Sequence, residues 1–410
     1  MPWPLDSGGH LRTYHLLRML AVRFDVRLVV PERGNGEDGR PALERAGIRV
    51  RPVAVPPRTA LSAAFGMVAA AARREPYVLF ARHRQGRVKH ALRLEVSRER
   101  PSVLYLDHLD SLVYAGVAAG VPLVVDMHNV YSRLAARTAA GMTGSVKRRY
   151  LASQAGLIER KERSAAHAAH TLITVSDDEA RHFSSIGAAR VAVVPNGVDC
   201  AAFDQLPVDR SGPPTILYVG SLEWPPNVSA ACYLARQVLP SVRRRLPEAR
   251  LALVGKNPTA EVASLAHADD HVEVNGNVID VRPYFRKAHV LAVPLEAGGG
   301  TRLKILEAFA AGLPVVSTAI GCEGIGAVHQ EHLIVTDRET CGDAVAQVLL
   351  DPSHAADRAQ RASSLARRDY DWSVVGRLAA DAVAYAASDR RPTPAVLAEL
   401  AVRTGVPTRW

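Results

Sequence analysis

The chain has 410 residues, enough at about 100–200 per domain for two or three domains with their own cores, so a peptide-sized binding module is excluded. With 48% apolar and 22% charged residues the composition is ordinary for a globular protein, which excludes disorder as the main state. The net charge of +10 is uneven: residues 1–150 carry 24 basic and 12 acidic side chains, residues 151–410 carry 27 and 29, and residues 51–100 alone carry 11 and 3. Such a segment suits an anionic partner, whether lipid surface, nucleic acid or phosphate; with only six Lys among the 51 basic residues it equally suits a solvated Arg-rich face.

Short β-branched runs at Val26–Val30, Val103–Leu106, Leu123–Val125, Thr171–Val175 and Val191–Val194 alternate with amphipathic Ala/Leu/Arg stretches, the pattern of a parallel sheet covered by helices. The longest apolar run, Ala60–Ala72, is too short to cross a bilayer. After the breaker-rich Ser211–Pro214 the rhythm restarts at Ile216–Val219, Leu251–Val254, Val272–Val274, Val290–Val293, Val315–Val316 and Leu333–Val335. Two doubly wound α/β domains of similar size follow, with ligands expected at the strands' carboxyl ends, in a cleft between the domains. The expected divisions are 1–205, 206–370, a helix at 371–387 and a tail at 388–410, with a break in the helical pattern near Asp369–Trp372. Cys200, Cys232, Cys322 and Cys341 show no C-x-x-C spacing, which argues against a zinc site or disulfide scaffold and suits a reducing cytosol.

The stretch Gly298–Val316 carries the clearest chemistry. Glycines let backbone approach a ligand, Thr301 is placed to cap a helix over Arg302–Ala311, and Gly312 and Pro314 end it. Arg302 and Lys304 in the first turn oppose the helix dipole, which favours a bound diphosphate over a purely structural helix. Glu307 is placed to accept hydrogen bonds from ribose hydroxyls, or simply to pair with Lys304 for about 0.2–0.5 kcal/mol. A second glycine loop, Asp6–Gly9, precedes a helix over His10–Ala21, and His128 stands at the carboxyl end of a strand, near where a sugar would react. Val254-Gly255-Lys256 is not a P-loop, and neither H-E-x-x-H nor G-x-S-x-G occurs.

The segments PLDSGGHLRTYHLLRMLA, VVDMHNV, TVSDDEARHF, VVPNGVD, LYVGSLEWPPNV, NGNVIDVRPYF, GGGTRLKILEAFAAGLPVVST and YDWS, in that order, resemble glycosyltransferase family 4, the retaining GT-B group that includes bacterial polysaccharide and envelope enzymes. The resemblance implies two Rossmann-like domains, the first for the acceptor and the second for a nucleotide-sugar donor, with the carboxyl-terminal helix crossing back to the first. It implies that Gly8 and Gly9 approach the donor phosphates and that His128 faces the transferred sugar. Gly220 would open the second domain's loop, Val278 would touch the base through its backbone, Gly299, Gly300, Thr301, Arg302 and Lys304 would hold the diphosphate, and Glu307 the ribose. Transfer would retain configuration and need no metal or other cofactor, the acceptor being a glycan or lipid-linked. The expected place is the cytoplasm, with a peripheral contact to an anionic membrane through residues 51–100 as an option, and the lack of a base-reading motif weighs against nucleic acid as a partner. A nucleotide-sugar epimerase of the same fold, or a weakly catalytic sugar-nucleotide- or nucleic-acid-binding protein, is the alternative.

Three departures stand out. Gly299 stands where the family has the first of two glutamates, with Glu296 out of register; the Gly220 loop lacks the basic residue of many relatives, so Arg302 and Lys304 would substitute. In relatives the Ser-Gly-Gly loop follows a buried apolar strand, whereas here Met1–Asp6 precedes it. The expectation is a first sheet lacking a central strand, at a cost of about 1.5–3 kcal/mol per missing apolar side chain, and a natural start further upstream.

Overall fold

The computed structural model describes residues 1–5, 7–32, 39–140, 144–297 and 302–388. By internal packing the chain forms two compact units, one from Met1–Pro195 with the chain from Val375 onward, the other from Asn196–Val374. The first division therefore falls ten residues before position 205. The reason is local: Val198, Cys200 and Phe203 are buried in the second unit's core, and Val198 N–H donates to the Tyr370 carbonyl at 2.8 Å.

In the first unit β1 (Arg27–Glu32) pairs in parallel with β2 (Arg49–Ala54) and with no other described strand. A separate parallel sheet runs in the order β3 (Leu104–Asp107), β4 (Leu123–Asp126), β5 (Thr171–Thr174), β6 (Val191–Val193). The single sheet expected from the alternating pattern is thus divided in two. A cavity of about 750 Å³ lies between the pieces, lined by Asp25–Pro31 on one side and Arg100–Asp107 on the other. β2 escaped the sequence reading because Arg49, Arg51 and Pro52 interrupt its apolar pattern and none of its residues is buried. Central β4 and β5 show the opposite, being buried at every position as parallel strands covered on both faces must be.

The second unit holds one six-stranded parallel sheet: β7 (Thr215–Val219), β8 (Arg250–Gly255), β9 (Val272–Gly276), β10 (Val290–Val293), β11 (Val315–Ser317) and β12 (Ile334–Val335), ordered β12-β11-β10-β7-β8-β9. Read from the start of the unit this is 3-2-1-4-5-6, the doubly wound order whose switch point lies between β7 and β10. Gly255, at φ +156°, packs so tightly against the β7 end that a Cβ there would lie 1.7 Å from the Gly220 carbonyl oxygen.

The helix Trp372–Ser388 follows a break at Asp371 and, from Val375, packs in the first unit. A Cβ at Gly376 would lie 2.4 Å from Met19 Cβ, so this helix and the helix Gly8–Leu20 meet at backbone distance. Arg23 pairs with Asp381 at 2.6 Å, and the Arg190 guanidinium lies 3.4 Å over the Tyr385 ring. Among the described residues no helix is long and apolar enough to cross a membrane.

Candidate functional site

In the first unit the helix Gly8–Leu20 starts at the paired glycines themselves. Extended Ser7 accepts from the His10 backbone N–H at 3.4 Å, so Gly8 and Gly9 form the first helical turn and not a loop ahead of a helix at His10. No acidic residue occupies that turn, so no side-chain carboxylate offsets the positive end of its dipole. Arg12, 1% exposed, lays its fork on Asp126 at the end of β4: Nη2 donates to Oδ1 at 2.7 Å and Nε to Oδ2 at 3.1 Å. Its Nη1 donates to the Val194 and Pro195 carbonyls, and the Tyr105 hydroxyl donates to Asp126 Oδ2 at 2.7 Å. Asp126 is buried with both oxygens engaged, the condition under which a buried carboxylate is tolerated.

Asp107 ends β3 beside Asp126, in register with it. Its Oδ1 meets His128 Nε2 at 2.8 Å and its Oδ2 accepts from the Thr13 hydroxyl at 2.7 Å. Burial alone would raise the Asp107 carboxyl, but His128, Thr13 and His108 bring it down to about 2. Burial likewise lowers His128, yet Asp107 and Asp126 outweigh it and raise its pKa above the usual histidine value. His108, edge-on to the His128 ring at 5.0 Å between centroids, is pushed down to about 4 by burial and the charge on His128, so it stays neutral. The result is a histidine–carboxylate pair whose free Nδ1 edge faces Gly9, 3.9 Å from where a Cβ would stand. Donor atoms of Asp107, Asp126 and His128 lie within 4.8 Å of one another, close enough for a metal ion. Arg12 already covers both Asp126 oxygens, so the residues fit a divalent cation poorly.

In the second unit the helix Leu303–Ala310 carries Lys304 and Glu307, with Arg302 at the N-cap position and no side-chain cap. The helix starts one residue later than the sequence pattern suggested. Thr301, the expected cap, and Gly299 and Gly300 lie outside the described residues. Arg302 is buried, 6% exposed, and reaches the Ile320 carbonyl at 3.5 Å. Half-buried Lys304 donates to Asn227 Oδ1 at 3.3 Å and stands 4.1 Å over the Tyr218 ring. Asn227 Oδ1 also accepts from the Tyr218 hydroxyl at 2.7 Å, while its Nδ2 donates to the Ser221 carbonyl at 2.9 Å. A Cβ on Gly220 would lie 2.9 Å from Lys304 Nζ, so the glycine at the end of β7 makes room for the ammonium.

Desolvation, aided by Arg302 and opposed by Glu307, lowers Lys304 to about 7. Glu307 is raised to about 7 by burial, with Lys304 opposing and Asp280 adding to the rise. The simple Lys304–Glu307 ion pair is not formed: Lys304 turns to Asn227 and Tyr218. Glu296 does not take the place of the family's first glutamate but pairs with Arg338, which also stacks on Tyr233. Val278 is half-buried in the turn after β9, next to fully exposed Ile279, and Asp280 holds Arg282 in a fork.

Gly9 and His128 thus meet in one unit, and Gly220, Lys304, Arg302 and Glu307 share one region of the other. Asp107, Tyr105, Thr13, Tyr218 and Asn227 were not found by motif. Asp107 had a readable signal, as did Asp126: LYLD and LVVD each end a strand in Asp, which places two carboxylates side by side at the carboxyl edge of a parallel sheet.

Two family models match the two halves of the chain: a glycosyl transferase 4-like domain over residues 7–197 and glycosyl transferases group 1 over residues 213–351. The chain is 28% identical over 295 residues to the glycogen synthase of Mycobacterium tuberculosis, covering 67% of this chain and 66% of that protein. It is 29% identical over 224 residues to the GDP-mannose-dependent alpha-(1-6)-phosphatidylinositol monomannoside mannosyltransferase of the same organism, covering 49% and 58%. It therefore spans somewhat less than two thirds of these relatives' length. The crystal structure of Anabaena HepE in complex with UDP-glucose superposes with a TM-score of 0.65 at 15% identity, over 94% of this chain and 97% of that one, a likeness of fold. With both halves matched and every described sheet parallel, the chain belongs to the glycosyltransferases of the GT-B, family 4 type.

Proposed function

We propose that the protein is a retaining hexosyltransferase that takes its sugar from a nucleoside diphosphate and passes it, without a metal ion, to a glycan or lipid-linked acceptor. The observation that carries this reading is Lys304: a lysine lowered to about 7, set against Gly220 in the first turn of a helix, with Arg302 two residues before it. Two positive groups at the positive end of a dipole repel one another until an anion arrives, and a diphosphate satisfies all three. Glu307, in its ionised form, accepts from the ribose hydroxyls, and the backbone at Val278 takes the base. The named donors of the relatives, GDP-mannose for one and UDP-glucose in the HepE complex, are of the class proposed.

In the transfer the bond from the anomeric carbon to the diphosphate oxygen breaks, and the acceptor hydroxyl oxygen bonds to that carbon on the same face. The hydroxyl proton passes to the departing diphosphate oxygen. Arg302, Lys304 and the helix N-terminus stabilise the charge that builds there, the role a divalent cation plays in other transferases. His128, held charged by Asp107, donates from Nδ1 to a sugar oxygen, while Gly8 and Gly9 offer backbone N–H groups to the donor.

Membrane contact belongs to the same proposal. The helix Ala60–Ala72 leaves Leu61, Phe65 and Val68 69–70% exposed, at spacings of four and three that align them on one face. Arg58, Arg73 and Arg74 flank it. An apolar face with basic ends suits an anionic lipid surface, where a lipid-linked acceptor would reside.

Three outcomes follow. Lys304→Ala should lower turnover at least about 100-fold, as loss of a transition-state charge contact does, and activity within a factor of two of wild type would remove the diphosphate role. Because the His128 pKa is raised, its donor form is present below that pKa and lost as pH rises through it. Asp107→Asn removes the main raising charge, so the alkaline fall in kcat/KM should move to lower pH; an unmoved limb would contradict the dyad. Phe65→Asp should reduce co-sedimentation with phosphatidylglycerol vesicles about tenfold without changing turnover on a soluble acceptor; binding equal to wild type would exclude this helix.

A further inference from the structure

Two buried glutamates of the first unit, Glu162 and Glu179, take no part in the proposed transfer, yet both grip the chain that carries His128. Glu162, 0% exposed on the helix Ser145–Ala168, accepts from the Ser132 backbone N–H through Oε1 at 3.1 Å. Its Oε2 accepts from the Ser132 hydroxyl, and the carboxylate also takes the Tyr131 N–H. Glu179, 8% exposed in the first turn of the helix Asp177–Ser185, accepts from the Val175 N–H through Oε2 at 3.3 Å and from the Val130 N–H. Glutamate is seldom buried this deeply without partners, and here the partners are largely main-chain amides.

The amides of Val130, Tyr131 and Ser132 are consecutive and open the helix Tyr131–Ala140. The Val130 carbonyl accepts from the Leu134 N–H at 3.1 Å, which puts Val130 at the capping position, and its side chain has no oxygen to offer. A helix that needed only a cap would find it in a local Ser, Thr, Asp or Asn. Here the acceptors come from two other helices, so the start of this helix is tied to both.

The amino side of the loop is fixed as well. Both Asp126 oxygens are engaged by Arg12, and the Met127 N–H donates to the Ile173 carbonyl at 2.8 Å. Between Met127 and Val130 stand His128 and Asn129 alone, so a shift at Val130 passes directly to His128. Tyr131 adds a second path: its hydroxyl bonds to His108 Nε2, and the His108 ring stands edge-on to His128 at 5.0 Å between centroids.

We propose that Glu162 and Glu179 are positioning residues for the transfer: by clamping the amides of Val130, Tyr131 and Ser132 they hold His128 Nδ1 at the place where the sugar is met, and they act on the chemical step through it. This rests on the role proposed for His128. A displacement of about 1 Å at a reacting group can cost about 100-fold in rate, so the clamp should be felt in kcat.

The test compares variants of the full chain by nucleoside diphosphate release from UDP-glucose or GDP-mannose and by hydrogen exchange at the three amides. Because burial raises Glu179 to about 7, pH 8 keeps it ionised. Glu179→Gln, which turns an N–H toward an N–H, should lower kcat at least about tenfold, leave KM for the nucleotide sugar within a factor of two, and speed exchange at Val130. Glu162→Ala should do the same with faster exchange at Tyr131 and Ser132. Glu162→Gln should recover most of the rate, since the Ser132 hydroxyl can turn to accept from the new amide. Ile158→Val, in the same core, should lower the thermal midpoint and leave kcat unchanged. Wild-type kcat in Glu179→Gln and Glu162→Ala, with His128→Gln at least tenfold slower, would overturn the clamp and spare the role of His128. Wild-type kcat in His128→Gln would remove that role and the clamp with it. A kcat loss in Ile158→Val that matches its lowered midpoint would reduce both glutamates to structural caps and overturn the proposal. Should Glu162→Ala or Glu179→Gln fail to fold, Ser132→Ala removes one grip and keeps both carboxylates: about threefold lower kcat at constant KM supports the clamp, and an unchanged kcat overturns it.

Discussion

The second unit is organised around one unfavourable placement. Lys304 keeps its ammonium against an aromatic ring and an amide oxygen at the start of a helix, with a buried arginine close by. Desolvation and the neighbouring Arg302 act against the proton and outweigh Glu307, which is why the amine sits near 7 and not near its ordinary 10.5. Gly220 stays bare to leave room for it, Gly255 stays bare to let Gly220 approach, and Asn227 turns its oxygen inward to meet it. Stability alone would favour a smaller neutral residue, so the cost fits the anion site proposed for Lys304.

The first unit solves the opposite problem. Arg12 and Asp126 are both buried, but every guanidinium and carboxylate group near them has a partner, and the pair fixes the first helix to β4. From that fixed point Asp107, itself held by the Thr13 hydroxyl, fixes one edge of His128 and leaves the other toward Gly9. A rigid, compensated cluster therefore presents one donor, whereas the second unit presents an amine whose proton is weakly held. That contrast matches a division of labour in which one unit orients a neutral sugar and the other receives a diphosphate.

Much of this was legible before any coordinates. Leu123–Val125 and Leu251–Val254 are unbroken apolar runs, and strands buried on both faces can hardly be written otherwise. The helix with Lys304 and Glu307 was readable from its glycines, its ending at Gly312 and its misplaced basic residues. Other features were hidden for identifiable reasons. β2 carries Arg and Pro at an edge where neither is penalised. Ser7 capping turned an apparent loop into a helical turn, because a cap depends on φ and ψ that the Ser-Gly-Gly triplet does not dictate. Asn227 and Tyr218 reach Lys304 only through the close return of a loop onto β7, and Asp107 reaches His128 only through strand register. Such contacts are long-range by nature and leave no local pattern.

The most direct test of the account is whether a nucleoside diphosphate brings a proton with it. Free Lys304 at about 7 is mostly neutral at pH 8, while Glu307, raised to about 7, is mostly ionised there. Binding of UDP, GDP or ADP should restore the ammonium, so calorimetric titration at pH 8 in two buffers of different ionisation enthalpy should report net proton uptake, most of one proton per nucleotide, abolished in Lys304→Met. Binding with no proton uptake, or with uptake that persists in the variant, would contradict the claim that Lys304 is the diphosphate's partner.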